Sequence, residues 1–288
     1  MTPHTLYVGC PMWVQRAWVG RFLPADTASG RELHAYSRLL NAVEGNTTFY
    51  ATPTPATVSR WRDQAAPGFR FVFKVPKHIT HERRLRGIAT ELTAFCQLME
   101  PLGDAVGGFT LQLPASFGPD DLGALEWTLR QRSTAWHWSV EVRHSAFFSG
   151  AGRTRLDALL SQHGVERVLL DTESLFSRPP LTDDGREEWG QKPRVPALHE
   201  ALTDQPIVRF IGTDYPEVTA EGIAGWQPIV ADWLREGRTP TVFLHTPDNT
   251  GTPALALAFH EALTKLVPDL QQLPTPLPVQ THEQASLF

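Results

Sequence analysis

The sequence predicts a single-domain (β/α)8 TIM barrel, and three observations carry that expectation. Eight short runs rich in β-branched and aromatic residues alternate with longer stretches of helical period. The chain has 288 residues, close to the roughly 250 of a typical barrel. The first run opens into "VGCPMW", which lacks the GxGxxG that a doubly wound nucleotide-binding sheet carries at that point.

The strand candidates are, in order, "LYVGC" (Leu6–Cys10), "AVEGNTTF" (Ala42–Phe49), "RFVFKVP" (Arg70–Pro76) and "GGFTLQLP" (Gly107–Pro114). They continue with "WHWSVEVR" (Trp136–Arg143), "RVLLDT" (Arg167–Thr172), "PIVRFIG" (Pro206–Gly212) and "TVFLHTPD" (Thr241–Asp248). The helical stretches fall between them. "RELHAYSRLL" puts Leu33, Tyr36 and Leu40 on one side. "TPATVSRWRDQAA" starts with Thr54 as N-cap and Pro55 at the first helical position. "ATELTAFCQLMEPLG" spaces Leu92, Phe95, Cys96 and Met99 at i, i+3, i+4 and i+7. "GPDDLGALEWTLRQR" has acids in its first turn and bases in its last, as the helix dipole prefers. "RTRLDALLSQHG" ends on a glycine C-cap.

Two segments fall outside this alternation. Glu173–Val195 is too long for an ordinary connection and is expected to be a lid or a mobile surface insertion. From Pro268 the chain carries prolines without helical period. It reads as an extended tail, so residues 1–267 form the barrel domain and 268–288 the tail.

Composition narrows the function. A net charge of −5 provides no overall basic field for nucleic acid or an anionic membrane. The two cysteines, Cys10 and Cys96, form no CxxC and suggest a reducing, cytoplasmic setting. The N-terminus does not read as a signal peptide. No apolar run approaches the roughly 18 residues of a spanning helix. The Asn46-Thr47-Thr48 sequon means little in that compartment.

Parallel strands covered by helices normally read as continuous apolar runs. Here the second half of nearly every strand is interrupted: Glu44 and Asn46, then Lys74, Gln112, Glu141 with Arg143, Asp171, Arg209 and His245. Barrel chemistry sits at the C-terminal ends of the strands, so these residues are expected to meet at one mouth. Arg143 and Arg209 offer forked donors and Lys74 a point charge for phosphate or carboxylate, with Asn46 and Gln112 as polar partners. Glu44, Glu141 or Asp171 would serve as general acid or base, and His245 as a proton shuttle near neutral pH. A self-neutralising plug of salt bridges is the structural alternative. "HITH" (His78, His81) with His245 and Asp248 raises a divalent metal, but three cations in the same mouth would repel the ion, so no metal or other cofactor is assigned. Trp13 and Trp18 read as a stacking surface or as packing, and Trp61, Trp127, Trp226 and Trp233 as packing. There is no Walker A loop, GxSxG elbow or HExxH motif.

"VEGNTTFYATP", "FRFVFKVPKHITH", "LQLPASFGP", "VEVRH", "VRFIGTD" and "FLHTPDNTG" together resemble the YecE-like family, catalogued as domain of unknown function seventy-two. The resemblance runs from about Leu6 to Phe288 and is densest at Glu44, Asn46, Lys74, Gln112, Glu141, Arg143 and Arg209. It implies a TIM barrel, similar at the level of fold to endonuclease IV and xylose isomerase, and it brings no activity. The chain departs from the family pattern at Gly45 in "VEGNTTFY" and at Cys10-Pro11. It departs again at His245, where many relatives carry "YF".

The last five residues, "QASLF", resemble the peptide by which bacterial polymerases and repair proteins dock on the DNA sliding clamp. Gln284 would make a directional hydrogen bond while Leu287 and Phe288 fill an apolar pocket. The leading expectation is therefore a cytoplasmic hydrolase or phosphodiesterase on a phosphate-bearing substrate, such as a nucleic-acid end, recruited through this tail. The second is an isomerase or lyase on a phosphorylated or carboxylated metabolite, and the third a non-enzymatic adaptor with a plugged mouth. Size separates the first two: a metabolite site is closed by Glu173–Val195, whereas a nucleic-acid site is an open groove.

Overall fold

The computed structural model describes residues 3–279. Eight parallel strands close into a barrel in sequence order. They are β1 Tyr7–Cys10, β2 Ala42–Gly45, β3 Arg70–Lys74, β4 Val106–Gln112, β5 Trp138–Glu141, β6 Glu166–Asp171, β7 Ile207–Ile211 and β8 Thr241–His245. The predicted runs all hold a strand, and the last pairs with the first through Tyr7↔Thr241 and Gly9↔Phe243. No helix among the described residues is long and apolar enough to cross a membrane.

The helices cover the outside. Pro55–Gln64 begins as the sequence predicts, with Thr54 Oγ1 accepting from Thr57 N at 3.2 Å. Ala89–Met99 buries Leu92, Phe95, Cys96 and Met99, the four residues its period singles out. Gly150–Gln162 ends against Gly164, which takes a left-handed φ of 60°. Two helices, Pro216–Ala224 and Trp226–Arg235, follow β7, and Thr252–Leu266 follows β8.

The first two strands share only two register pairs, and side chains reinforce the joint. The Tyr36 hydroxyl accepts from Cys10 N at 2.8 Å and donates to Ala42 O at 2.9 Å. Asn41 does the same for Val8 N and Leu6 O, at 2.8 Å each. The strands approach so closely at Gly9 that a Cβ would lie 2.0 Å from Ala42 O. Cys10 and Cys96 are both free and buried.

The interior is layered by strand alternation. Ala42, Val72 and Phe243 form a small apolar cluster of their own, with Tyr7 and Ile207 packed on it. These five residues come from five strands, so they mark the inward face. Two residues further along, the same face carries Glu44, Lys74, His245 and Arg209. On β4 and β5, Thr110 and Ser139 bond at 2.8 Å, and the next inward pair is Gln112 and Glu141.

Several boundaries and placements differ from the sequence reading. β2 stops at Gly45 rather than Phe49, because Asn46 turns helical (φ −70°, ψ −25°) and Thr47–Tyr50 forms one helical turn. The Thr48 hydroxyl fixes that turn, 2.8 Å from Gly45 O and 2.7 Å from Lys74 O. β5 stops at Glu141, so Arg143 also lies beyond its strand. Trp127 is 41% exposed and so packs only in part. The long segment after β6 is ordered into helices Glu173–Ser177 and Asp183–Gln191. Past Pro268 the described residues hold no further helix, yet the chain docks: Leu270 bridges His4 and is buried, and Leu273 and Leu277 pack on the core. Gln284, Leu287 and Phe288 lie outside the described residues.

Candidate functional site

The inward polar layer forms the floor of a cavity of about 730 Å³ at the C-terminal end of the barrel. Glu44 sits at its centre. Arg209 Nε donates to Glu44 Oε1 at 2.9 Å and to Oε2 at 3.1 Å. Asn46 Nδ2 donates to the same Oε2 at 2.8 Å and to Pro11 O at 2.9 Å, which ties the β1 loop to the floor. Lys74 Nζ donates to Gln112 Oε1 at 2.8 Å and lies 3.5 Å from Glu44 Oε2. Fully buried Glu141 takes Arg143 through Oε1, from Nε at 2.9 Å and Nη2 at 2.8 Å. Among the described residues its Oε2 makes no hydrogen bond, and it stands 3.9 Å from both Lys74 Nζ and Arg209 Nε.

The electrostatics follow from this packing. Burial alone would raise the Glu44 carboxyl, but Arg209 and Lys74 more than offset it and hold it below its usual value. Glu141 is depressed further against its own desolvation by Arg143, Lys74 and Arg209. Lys74 is brought down to about 8, by burial first and Arg209 second, against the pull of Glu44 and Glu141. Arg209 moves upward, since its two carboxylates outweigh its burial.

Eight of the nine predicted mouth residues meet here: Glu44, Asn46, Lys74, Gln112, Glu141, Arg143, Arg209 and His245. Asp171 does not. Its backbone pairs with Phe210 while Leu170 pairs with Arg209, so Asp171 faces outward. There its carboxylate accepts from Trp226 Nε1 at 2.8 Å and from Glu173 N at 2.9 Å, and burial raises its pKa. It is a structural anchor between the barrel and the helix of Trp226. His245 is present, but not as a shuttle titrating near neutrality. Burial, then Arg209, Lys192 and Lys74, hold its pKa well below the ordinary value, so it is neutral at pH 7. His81 lines the cavity and is likewise lowered, to about 4, by burial and Arg143. His78 and Asp248 lie outside the cavity lining. Among the described residues no cluster of three or more His, Cys, Asp or Glu could hold a metal ion.

Sequence reasoning missed the wall above this floor. Glu188, Gln191 and Lys192, at the end of helix Asp183–Gln191, line the cavity. Lys192 Nζ lies 2.7 Å from Glu188 Oε2, which stands 3.9 Å from His245 Nδ1. The i, i+4 spacing of Glu188 and Lys192 was the available signal, since it puts a charged pair on one face of a segment expected to be a lid or a surface insertion. The segment is fastened by Asp214, whose carboxylate accepts from Leu181 N at 2.7 Å, Thr182 N at 3.1 Å and Thr182 Oγ1 at 2.7 Å.

An apolar stretch of wall comes from the segments after β1 and β2, with Met12, Trp13, Phe49 and Tyr50, and is flanked by the polar Lys77, His81 and Asn249. Trp13 both lines the cavity and packs, edge-on to Trp61 at 5.4 Å and to Phe71 at 6.0 Å. Trp18 is fully buried and only packs, donating to Asn249 O at 2.9 Å. Gly45 is explained by the neighbouring strand: a Cβ there would lie 2.5 Å from Phe73 Cδ1. The Phe73 ring, stacked at 5.2 Å on Phe71, takes the space a side chain at position 45 would use.

The family profile described as "Protein of unknown function DUF72" matches residues 7–280. The UPF0759 protein YecE of Escherichia coli strain K12 is 38% identical over 285 residues, covering 98% of this chain and 100% of the relative. The crystal structure of a DUF72 family protein from Enterococcus faecalis superposes with a TM-score of 0.70 at 16% identity, over 95% of this chain and 99% of that one. A DUF72 family protein from Thermotoga maritima gives a TM-score of 0.67 at 21% identity, over 90% and 99%. At these identities the two structures speak for the shared barrel.

Proposed function

This chain belongs to the DUF72 family, and from its barrel mouth we propose that it is an enzyme that binds a small phosphorylated or carboxylated metabolite and transfers a proton on it. The observation that carries this reading is a cationic excess around a cavity with an unsatisfied donor at its floor. Lys74, Lys77, Arg143, Lys192 and Arg209 line the cavity, against Glu44 and Glu188 within it and Glu141 beneath. Among the described residues, Arg209 Nη1 and His245 Nδ1 are buried there without a hydrogen-bond partner. A buried unsatisfied donor is costly, about 1–3 kcal/mol or more when charged, and an anionic ligand relieves that cost. The two tight ion pairs, Glu44–Arg209 and Glu141–Arg143, are what a plug would show, but a plug leaves no such volume above them.

The wall formed by Glu188, Gln191 and Lys192 supports a metabolite rather than a nucleic-acid duplex, because it closes one side of the mouth with the segment after β6. Glu44, engaged by Arg209 and Asn46 and held by the Lys74 charge, is a poor base. Lys74, lowered to about 8, is the lining group whose proton affinity lies nearest to neutrality, where general acid–base transfer is most effective. This supports isomerisation or elimination over hydrolysis, with burial and Arg209 lowering Lys74 against the partial pull of Glu44 and Glu141. Titration with inorganic phosphate, followed by tryptophan fluorescence, is the direct test. Saturable binding is expected. Arg143→Gln should weaken it about tenfold or more, the scale of one charge-assisted hydrogen bond, in protein whose melting curve stays cooperative. Equal affinity in the variant would remove Arg143 from the site, and no saturation in either protein would end the anion reading.

A second reading rests on "QASLF": the tail docks on a DNA sliding clamp and brings the enzyme to DNA. The full chain should then be retained on immobilised purified clamp, and deletion of Gln284–Phe288 should abolish retention. Equal retention of both proteins would refute recruitment by this peptide.

A further inference from the structure

The cavity is divided into two chemically different halves. The cationic half comes from the loop after β5 (Arg143), the segment after β6 (Lys192) and β7 (Arg209), with Lys74 on β3 and Lys77 just after it on the adjoining side. The apolar half comes from the loops after β1 (Met12, Trp13) and β2 (Phe49, Tyr50). In a closed barrel running in order from β1 to β8, β1 and β2 stand across the mouth from β5 and β6. The two halves therefore face each other.

The aromatic half is rigid and partly uncovered. Trp13 is 8% exposed and held edge-on by Trp61 and Phe71. Phe49 is buried between Tyr50 at 5.2 Å and His81 at 5.1 Å, both edge-on. Tyr50 is 80% exposed and Val14, also on this rim, 55%. Large apolar side chains left in water beside a charged cavity are a common mark of a binding surface. A bare inorganic anion, or the phosphate of a small polyol, would leave them uncovered.

We propose that the ligand is an amphipathic anion: a phosphate or carboxylate carried on a planar, apolar body that lies against Trp13, Phe49 and Tyr50 while its charge meets Arg143, Lys192 and Arg209. This refines the anion-binding reading and rests on it. An aryl ester and a nucleoside monophosphate share this chemistry, and the 730 Å³ volume falls within the roughly 300–1,000 Å³ of pockets for ligands of drug-like size.

The test compares affinities of the full chain for inorganic phosphate, ribose 5-phosphate, phenyl phosphate and adenosine 5′-monophosphate. At least one of the two aromatic probes should bind ten or more times tighter than ribose 5-phosphate, and which one does identifies the body. Tyr50→Ala should reduce that ratio at least threefold. Being exposed, Tyr50 can be truncated without emptying the core. Phosphate binding with a ratio near one would overturn this inference and leave the anion reading in place. No binding of any probe would overturn both. A tenfold preference that Tyr50→Ala leaves intact would also overturn the proposed aromatic contact.

Discussion

Arg209→Ala should cost about 3–5 kcal/mol of folding stability, the usual loss when one partner of a buried ion pair is removed. The expected fall in melting temperature is on the order of 10 °C. The reason lies in what is left behind. Glu44 would lose both hydrogen bonds from Arg209 Nε, and Glu141 Oε2 one of its two nearby cations. Both carboxylates are buried, so the uncompensated charge has no water to turn to. The double variant Glu44→Gln with Arg209→Met removes the charge on both sides. It should recover more than half of the loss, because the desolvation cost of the pair goes with it. Neither variant should bind phosphate. Denaturant melts check the first claim and titration the second. An Arg209→Ala protein as stable as the parent would show that the ionic floor is not assembled as described.

Sulfate, an anion whose own charge is constant over this range, should bind with an affinity that is flat between pH 7 and 7.5 and falls as pH rises through about 8. The sign follows from linkage. Lys74 has a pKa of about 8 in the free protein, and a bound anion beside it favours the protonated ammonium. The bound-state pKa is then the higher of the two. Below 8 Lys74 is charged in both states and affinity does not change. Above 8 the free protein loses a proton that the complex keeps, and affinity drops by up to about tenfold per pH unit until the bound-state pKa is reached. Lys74→Gln should bind more weakly at pH 7 and lose this dependence. A parent curve that stays flat to pH 9.5, or a Gln variant that still falls, would remove Lys74 from the site.

Much of the site was legible because buried charge is rare in parallel strands. Glu44, Lys74, Gln112, Glu141 and Arg209 stand out against their apolar neighbours, and each lies on the inward face. Asp171 carried the same signal and belongs elsewhere. Leu170 and Asp171 are adjacent, one inside and one out, and only the pairing of Leu170 with Arg209 says which. The run "NTTFY" shows the opposite failure. Its β-branched and aromatic residues favour a strand, but the Thr48 hydroxyl bonds to Gly45 O and Lys74 O fold it into a helical turn. That second contact is non-local and leaves no trace in the run itself. Lys192 and Glu188 were hidden for a similar reason. Their approach to His245 depends on Asp214 fastening the segment from across a loop.

The barrel, the order of its eight strands, the buried faces of several of its helices and the identity of most charged residues on its floor are already specified by the amino-acid sequence. Each of these is written in local period and residue type. Tertiary structure alone decided that Asp171 faces outward, that Glu44 pairs with Arg209 and Glu141 with Arg143, and that a charged wall faces an aromatic one. Alternation fixes faces only relative to one another within a strand. Which face is inside, and which groups meet across it, is set when β8 pairs with β1 and the ring closes.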